Sequence, residues 1–134
     1  GVAMDKNEVL KKLNEIANFN FDIDFMNNVF DYNVAWNKLE NHDQILITRE
    51  HYRKPLKLFI EGKVSSERLR AWVYYMDQTM AFTTNLDLDG EDDDVLLNIR
   101  DQISATIIDG PLTVEIAKSF LSQIKDDWEK LVPG

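Results

Sequence analysis

Cysteine is absent from all 134 residues of this chain. Its absence excludes disulfide bonds, thiolate nucleophiles and zinc sites built on thiolates. Because a chain without cysteine is compatible with a reducing compartment, we expect a cytoplasmic protein.

Long apolar runs are also missing, and the first residues, GVAMDKNEVLKK, lack the apolar region of a signal peptide. We therefore expect no membrane span and no membrane partner. Met4 fits a native start, so we expect residues 1–3 to be a cloning remnant. The length and the 44% apolar content are typical of a globular protein, which predicts a single domain over residues 1–134.

Basic residues are few: 15 Lys and Arg stand against 24 Asp and Glu, for a net charge of −9. Such a surface repels phosphate, so we expect no nucleic-acid partner, whereas a basic protein partner is compatible with it. The charge is uneven along the chain. Residues 71–99 contain seven acids and no Lys or Arg, whereas residues 49–70 contain seven bases and three acids.

Motifs for catalysis are missing as well. The five glycines are too scattered to form a phosphate-binding loop, and no metalloprotease or serine-hydrolase motif is present. Of the two histidines, His51 stands in the first turn of a predicted helix, where a surface or capping role is expected, and His42 has no evident partner. We predict a non-enzymatic protein with no catalytic residue and no cofactor.

Apolar residues recur at helical spacing along most of the chain, which predicts an all-α bundle of five or six helices. Gly62 is predicted to end one helix, and the short link after it predicts a central antiparallel helical hairpin. Pro55 should kink the first helix of this hairpin or end its first turn. Side chains that can cap the start of a helix predict where four of the helices begin: Asp5 or Asn7, Thr48, Ser65 or Ser66, and Thr113.

The region from residue 19 to 47 is harder to interpret. The alternation in FNFDID leaves strand and coil open for Phe19–Asp24, and apolar spacing favours a helix from about Asp24 to Glu40. Near the other end of the chain, the last helix is predicted to bury five apolar residues: Ile116, Phe120, Leu121, Ile124 and Trp128.

The segment NLDLDGEDDD, residues 85–94, is the most unusual stretch. The helix dipole favours one or two acids at a helix start, but six acids repel one another there. We therefore interpret the surplus as a surface for a basic partner, with solubility alone as the alternative. The predicted contact residues are Asp87, Asp89, Glu91, Asp92, Asp93 and Asp94.

The same segment begins like a calcium loop of the EF-hand type. The weak metal-site alternative uses Asn85, Asp87, Asp89, Glu91 and Asp93. The twelfth position, where a bidentate Glu is needed, is Leu96, which cannot coordinate an ion.

Tyr74 and Tyr75 are neighbours on a predicted helix just before the acidic segment. Adjacent helical residues point about 100° apart, so we expect at least one of these rings to be partly exposed. An exposed tyrosine beside acids is typical of an interface anchor, and we include Tyr74 or Tyr75 in the predicted partner-binding surface.

The stretch LKLFIEGKVSSERLRAW resembles an element of small bacterial immunity proteins related to the colicin D immunity protein, also called self-protective colicin-like immunity proteins. Five residues match this element, with Val64 in place of isoleucine: Phe59, Gly62, Ser65, Leu69 and Trp72. The stretch LNIRDQISATIIDGPLTVEIAKSFLSQI is similar to the closing part of uncharacterised bacterial proteins with the same layout. The two stretches and the acids between them span residues 56–124.

The resemblance implies a helical bundle that binds a toxic nuclease and blocks its active site. Such toxins are cationic because they bind phosphate, and carboxylates of an inhibitor can mimic that phosphate. We therefore expect an immunity-like inhibitor of a basic, nuclease-type bacterial toxin. The alternatives are a weak calcium-binding regulatory domain and an oligomeric structural or regulatory helical protein. The sequence leaves the oligomeric state open.

Overall fold

The computed structural model describes residues 5–31, 35, 37–78, 81–83 and 91–131, with the backbone alone for residues 41, 91–94 and 125–131. Most of this chain is helical, so the predicted all-α class is confirmed. The helices are α1 (Lys6–Ala17), α2 (Ile23–Asn28), a 3₁₀ turn (Asn41–Asp43), α3 (Arg49–Ile60), α4 (Ser66–Asp77), α5 (Glu91–Ser104), α6 (Thr106–Asp109) and α7 (Val114–Leu131).

Two short strands were not predicted. They are β1 (Ile45–Leu46) and β2 (Phe82–Thr83), and they pair in parallel with Ile45 opposite Phe82. Strands of two residues are too short to show an alternating apolar pattern, so their pairing depends on the helices that bring the segments together.

The helix caps and the helix stop that single residues predicted are confirmed. The Asp5 side chain accepts the Glu8 N–H at 2.8 Å, and the Ser65 hydroxyl accepts the Arg68 N–H at 3.1 Å. Thr113 caps α7 in the same way. Gly62 follows α3 with φ +76, a left-handed backbone that favours glycine.

The hairpin region is present with the predicted helices. Residues 61–65 link α3 to α4, and the two helices are in contact. Their antiparallel arrangement stays a prediction. Helix α3 does not end at Pro55 but continues to Ile60, with the proline ring buried.

Two expectations from the sequence are wrong. The helix expected from Asp24 to Glu40 is interrupted, because α2 ends at Asn28 and residues 29–31 are not helical. Asn and Asp side chains compete for backbone hydrogen bonds and so favour such a break. Ile116 was expected in the core but is 42% exposed, since Ala117, Phe120 and Ile124 form the buried face of α7. The side chain of Trp128 lies outside the described part.

Helix α4 lies at the centre of the fold and contacts α1, α3 and α5. Its Trp72 is fully buried and donates its indole N–H to the Ile16 carbonyl at 2.7 Å. The neighbouring Arg68 donates to the Phe21 carbonyl at 2.8 Å and stacks over the Phe21 ring. These polar contacts hold the segment after α1 against α4.

The question about Phe19–Asp24 is answered by this packing: the segment before α2 is irregular chain, not strand. Phe19 adopts φ +62, which is unfavourable for a residue with a side chain. The conformation persists because the Phe19 ring is buried edge-on against Trp72, with a centroid separation of 5.6 Å.

Candidate functional site

The exposed face of α4 carries an aromatic residue between charges. Tyr74 is 54% exposed, and Asp77, one turn further along the helix, is also exposed. The opposite face of α4 is buried with Trp72, so the helical period turns Tyr74 outward.

Tyr75 belongs to the core. Its side chain is only 2% exposed, its hydroxyl donates to Asn27 Oδ1 at 2.9 Å, and its ring packs edge-on against Phe21. Burial raises the pKa of the Tyr75 phenol. Tyr75 therefore offers a partner far less surface than Tyr74, and the binding role of either residue stays a prediction.

An open groove runs beside Tyr74, between α4 and the α5–α6 corner. We call it the Tyr74 groove; it is lined by Glu67, Arg70, Ala71, Tyr74, Tyr75, Asp77, Gln78, Ser104 and Ile107. Ile107 is 71% exposed and adds apolar surface opposite Tyr74. Glu67 and Arg70 place one negative and one positive charge at the rim, and neither forms an ion pair with another described residue.

A smaller space lies on the other side of Asp77. We call it the Tyr52 cavity; it has a volume of about 110 Å³ and is lined by Ile47, Tyr52, Met76, Asp77, Phe82, Thr83, Leu97 and Arg100. Burial raises the pKa of the Tyr52 phenol far above its ordinary value. Asp77 lines both the Tyr74 groove and the smaller, mainly apolar Tyr52 cavity.

Charges at the mouth of the cavity are partly paired. Arg100 Nη2 lies 3.1 Å from Asp101 Oδ1, and Arg100 Nη1 lies 3.5 Å from Asp77 Oδ1. The Asp77 side chain is 56% exposed and the Arg100 side chain 33%. The shorter contact holds the guanidinium to Asp101, so Asp77 retains capacity for another cation.

The predicted acidic contacts divide between two parts of the chain. Asp87 and Asp89, like Asn85, lie outside the described residues. Helix α5 begins at Glu91, so the four acids of residues 91–94 occupy its first turn, as the helix dipole favours. Their side chains are outside the described part, and their role in binding stays a prediction.

The calcium-loop alternative meets an obstacle at Leu96. This residue occupies the position that needs a bidentate carboxylate, and its side chain is fully buried in the core. The remaining proposed ligands lie in the segment whose side chains are not described, so the alternative itself stays untested.

Another group with metal-ligand chemistry lies at the 3₁₀ turn, where Glu40, His42 and Asp43 approach one another. Asp43 Oδ2 already accepts the Glu40 N–H at 2.8 Å and binds Lys6 Nζ at 2.9 Å. The first of these bonds, and then the second, lower the pKa of the Asp43 carboxyl. These contacts account for the cluster as an anchor between α1 and the turn.

His51 has the capping role expected from its position. Its Nδ1 accepts the Thr48 N–H at 3.0 Å at the start of α3. Burial lowers the pKa of the His51 ring, which keeps Nδ1 free to accept. The Thr48 hydroxyl also lies 3.1 Å from His51 Nδ1, so both contacts of this nitrogen are with the residue that begins α3, as in a helix cap.

The described fold thus defines a mostly helical protein with a charged, partly apolar surface around the second half of α4. Among the described residues, no helix has both the length and the apolar character that crossing a bilayer requires. Comparison of the chain with known protein families, curated proteins and solved structures finds no match.

Proposed function

We propose that this protein is a non-enzymatic inhibitor that binds a basic protein, of the nuclease-toxin type that bacteria use in competition. The observation that supports this proposal most directly is the exposed Tyr74 ring in an open groove with Glu67 and Asp77 at its rim. A rigid aromatic anchor surrounded by charged groups is typical of the energetic centre of a protein interface.

Charge supports a cationic partner. The chain carries a net charge of −9, and residues 71–99, which include Tyr74, contain seven acids and no Lys or Arg. Ser104, the last residue of α5, lines the Tyr74 groove, and residues 91–94 form the first turn of the same helix, about 15–20 Å away along its axis. A basic protein would be attracted to this side, because complementary charge accelerates encounter and selects partners.

The class of partner comes from the resemblance to colicin D-type immunity proteins over residues 56–124. A nuclease that binds phosphate presents a cationic active site, and a row of carboxylates can occupy it in place of phosphate. In this proposal the acidic segment, residues 87–94, covers the toxin's active site, and the Tyr74 groove supplies the apolar contact that holds the complex together.

The acidic segment is tested by the association rate with a candidate partner, a purified basic nuclease-toxin domain. We expect replacement of its six acids by amides to slow association about tenfold or more at low salt, within the range of electrostatic steering. The matched control removes the same charge elsewhere on the surface, by amide replacement of Glu8, Glu15, Asp24, Glu50, Glu61 and Glu115. Equal slowing in both variants would show that only net charge matters and would contradict a specific acidic surface.

The apolar contact is tested by Tyr74→Ala in the same assay. We expect faster dissociation and a loss of about 2 kcal/mol or more in binding free energy, as for a buried aromatic anchor. Leu46→Ala is the control. Leu46 is another large, exposed apolar side chain, with 41% of its surface accessible, but it lies in β1, outside the Tyr74 groove. A Tyr74→Ala protein that binds with unchanged affinity would refute the proposed anchor.

A further inference from the structure

The outward face of α4 carries opposite charges on the two sides of its exposed aromatic residue. Arg70 precedes Tyr74 by four residues and Asp77 follows it by three, so the three side chains lie on one face of the helix. At a rise of about 1.5 Å per residue, Arg70 lies about 6 Å before Tyr74 along the helix axis and Asp77 about 4.5 Å after it. The two charges are therefore nearly equidistant from the tyrosine.

Neither of these charges is closely paired within the chain. Arg70 forms no ion pair with another described residue. The Asp77 side chain is 56% exposed and lies 3.5 Å from Arg100, which has a shorter contact with Asp101 at 3.1 Å. The Asp77 carboxylate suits a basic partner, but Arg70 on the same face repels one. A partner that matches this face must present both an acid and a base at the same spacing.

Apolar surface lies beside the charges, in the Tyr74 groove. The groove has a volume of about 470 Å³, and Ala71 and Ile107 contribute apolar walls. Ile107 is 71% exposed, and the exposed Tyr74 ring packs edge-on against the buried Tyr75 ring, with a centroid separation of 5.8 Å. An engineered cavity of about 150 Å³ accepts benzene, so this groove has room for an aromatic ring from a partner.

We infer that a second copy of this chain binds the Tyr74 groove, with the two α4 helices antiparallel. A two-fold axis beside Tyr74 reverses the direction of the second helix, so Arg70 of each copy faces Asp77 of the other and two ion pairs form. Each Tyr74 ring enters the groove of the other copy and covers Ile107. A two-fold dimer requires such a self-complementary surface, because the same patch serves both sides. This arrangement uses Arg70, Tyr74 and Asp77 together, which a purely cationic partner does not.

The dimer goes beyond the proposed function and does not depend on it, because the second copy is the same protein. The contact between two 12-residue helices is smaller than a standard protein interface, so we expect a dissociation constant of about 10–100 μM. The dimer covers the Tyr74 ring, so a basic partner that binds this ring displaces the second copy. A nuclease-binding assay at nanomolar concentration measures the monomer, and the two proposals therefore fail separately.

Analytical ultracentrifugation of the whole protein tests the dimer, over concentrations from about 1 μM to about 1 mM. We expect the average mass to rise with concentration from the 15.6 kDa of one chain toward twice that value. Tyr74→Ala should weaken the dimer about tenfold or more, because both copies lose an aromatic anchor, whereas Leu46→Ala in β1 should not. A wild type that stays monomeric over the whole range, or a dimer that Tyr74→Ala leaves unchanged, would overturn the inference.

An exchange of the two charges tests the antiparallel pairing in the same assay. Arg70→Asp and Asp77→Arg should each weaken the dimer about tenfold or more, because each variant places like charges opposite one another at two sites. The double variant restores both ion pairs with reversed signs, so we expect a dissociation constant within about threefold of the wild type. Lys11→Asp and Glu8→Arg change the net charge by the same amounts at exposed positions of α1 and should leave the dimer intact. A double variant that dimerises no better than the single ones would contradict the antiparallel arrangement.

Discussion

The cap formed by His51 should make the stability of this protein depend on pH near neutrality. His51 Nδ1 accepts the Thr48 N–H, and a nitrogen that binds a proton can no longer accept. Protonation would also place a positive charge in the first turn of α3, where the helix dipole disfavours it. Burial lowers the pKa of the half-buried ring, which acts in the same direction.

The direction of the effect follows from comparing the two states. The pKa of His51 in the folded protein lies below the ordinary value of 6.5 expected for the unfolded chain. Above pH 6.5 the ring is neutral in both states, and its contribution to stability is fully present. As the pH falls through 6.5, the unfolded chain takes up the proton first, so the free energy of unfolding decreases until the folded ring is protonated as well.

The size of this decrease is set by the lost cap, because removing a side-chain cap costs about 0.5–2 kcal/mol. We therefore expect a loss of about 1 kcal/mol between pH 7.5 and pH 5.5, measured by urea denaturation at each pH. The shifted Asp43 carboxyl, with a folded pKa below 3.8, loses its contribution only at more acidic pH and does not interfere.

The deciding variant is His51→Gln, since glutamine can accept at this position of a capping box but does not titrate. We expect its stability to be nearly constant between pH 7.5 and pH 5.5. His42→Gln, at the exposed histidine of the 3₁₀ turn, should keep the wild-type dependence. A His51→Gln protein that loses as much stability as the wild type over this range would refute the reasoning.

Three further substitutions test the fold by urea denaturation at pH 7.5. We expect Gly62→Ala to lower the free energy of unfolding by about 1 kcal/mol. The loss comes from the positive φ alone, because a Cβ at this position meets no atom within 4 Å. An unchanged stability would contradict this prediction. We expect Ser66→Ala to lower the free energy of unfolding by about 1–3 kcal/mol, because the Ser66 hydroxyl accepts the buried Leu112 N–H at 2.8 Å. A decrease of less than about 0.5 kcal/mol would argue against that hydrogen bond. Phe19→Ala should cost about 3–5 kcal/mol, and a loss near 1 kcal/mol would mean that the ring against Trp72 contributes little.

The candidate site could be predicted only in part from the sequence. The adjacency of Tyr74 and Tyr75 predicts that one ring is exposed, but the contacts of Tyr75 with Phe21 and Asn27 decide which one. The Tyr52 cavity was not predicted, because its lining comes from α3, α4, β2 and α5, and no local pattern joins those segments. The exposure of Ile107 could have been predicted, because the pair Ile107–Ile108 stands just before the turn residues Asp109, Gly110 and Pro111, and connecting segments lie at the surface.

The features that short stretches of sequence predict here are local ones. Helix starts at Ser65 and Thr113, the helix stop at Gly62 and the acids in the first turn of α5 depend on backbone groups within four residues, so short patterns predict them. The tertiary structure decided what depends on distant contacts. The left-handed backbone of Phe19 is maintained by the packing of its ring against Trp72. Strand β1 pairs with β2, and the Tyr52 cavity forms, only because segments far apart in the chain meet there. These features follow from packing free energy summed over many residues, which no single stretch of sequence contains.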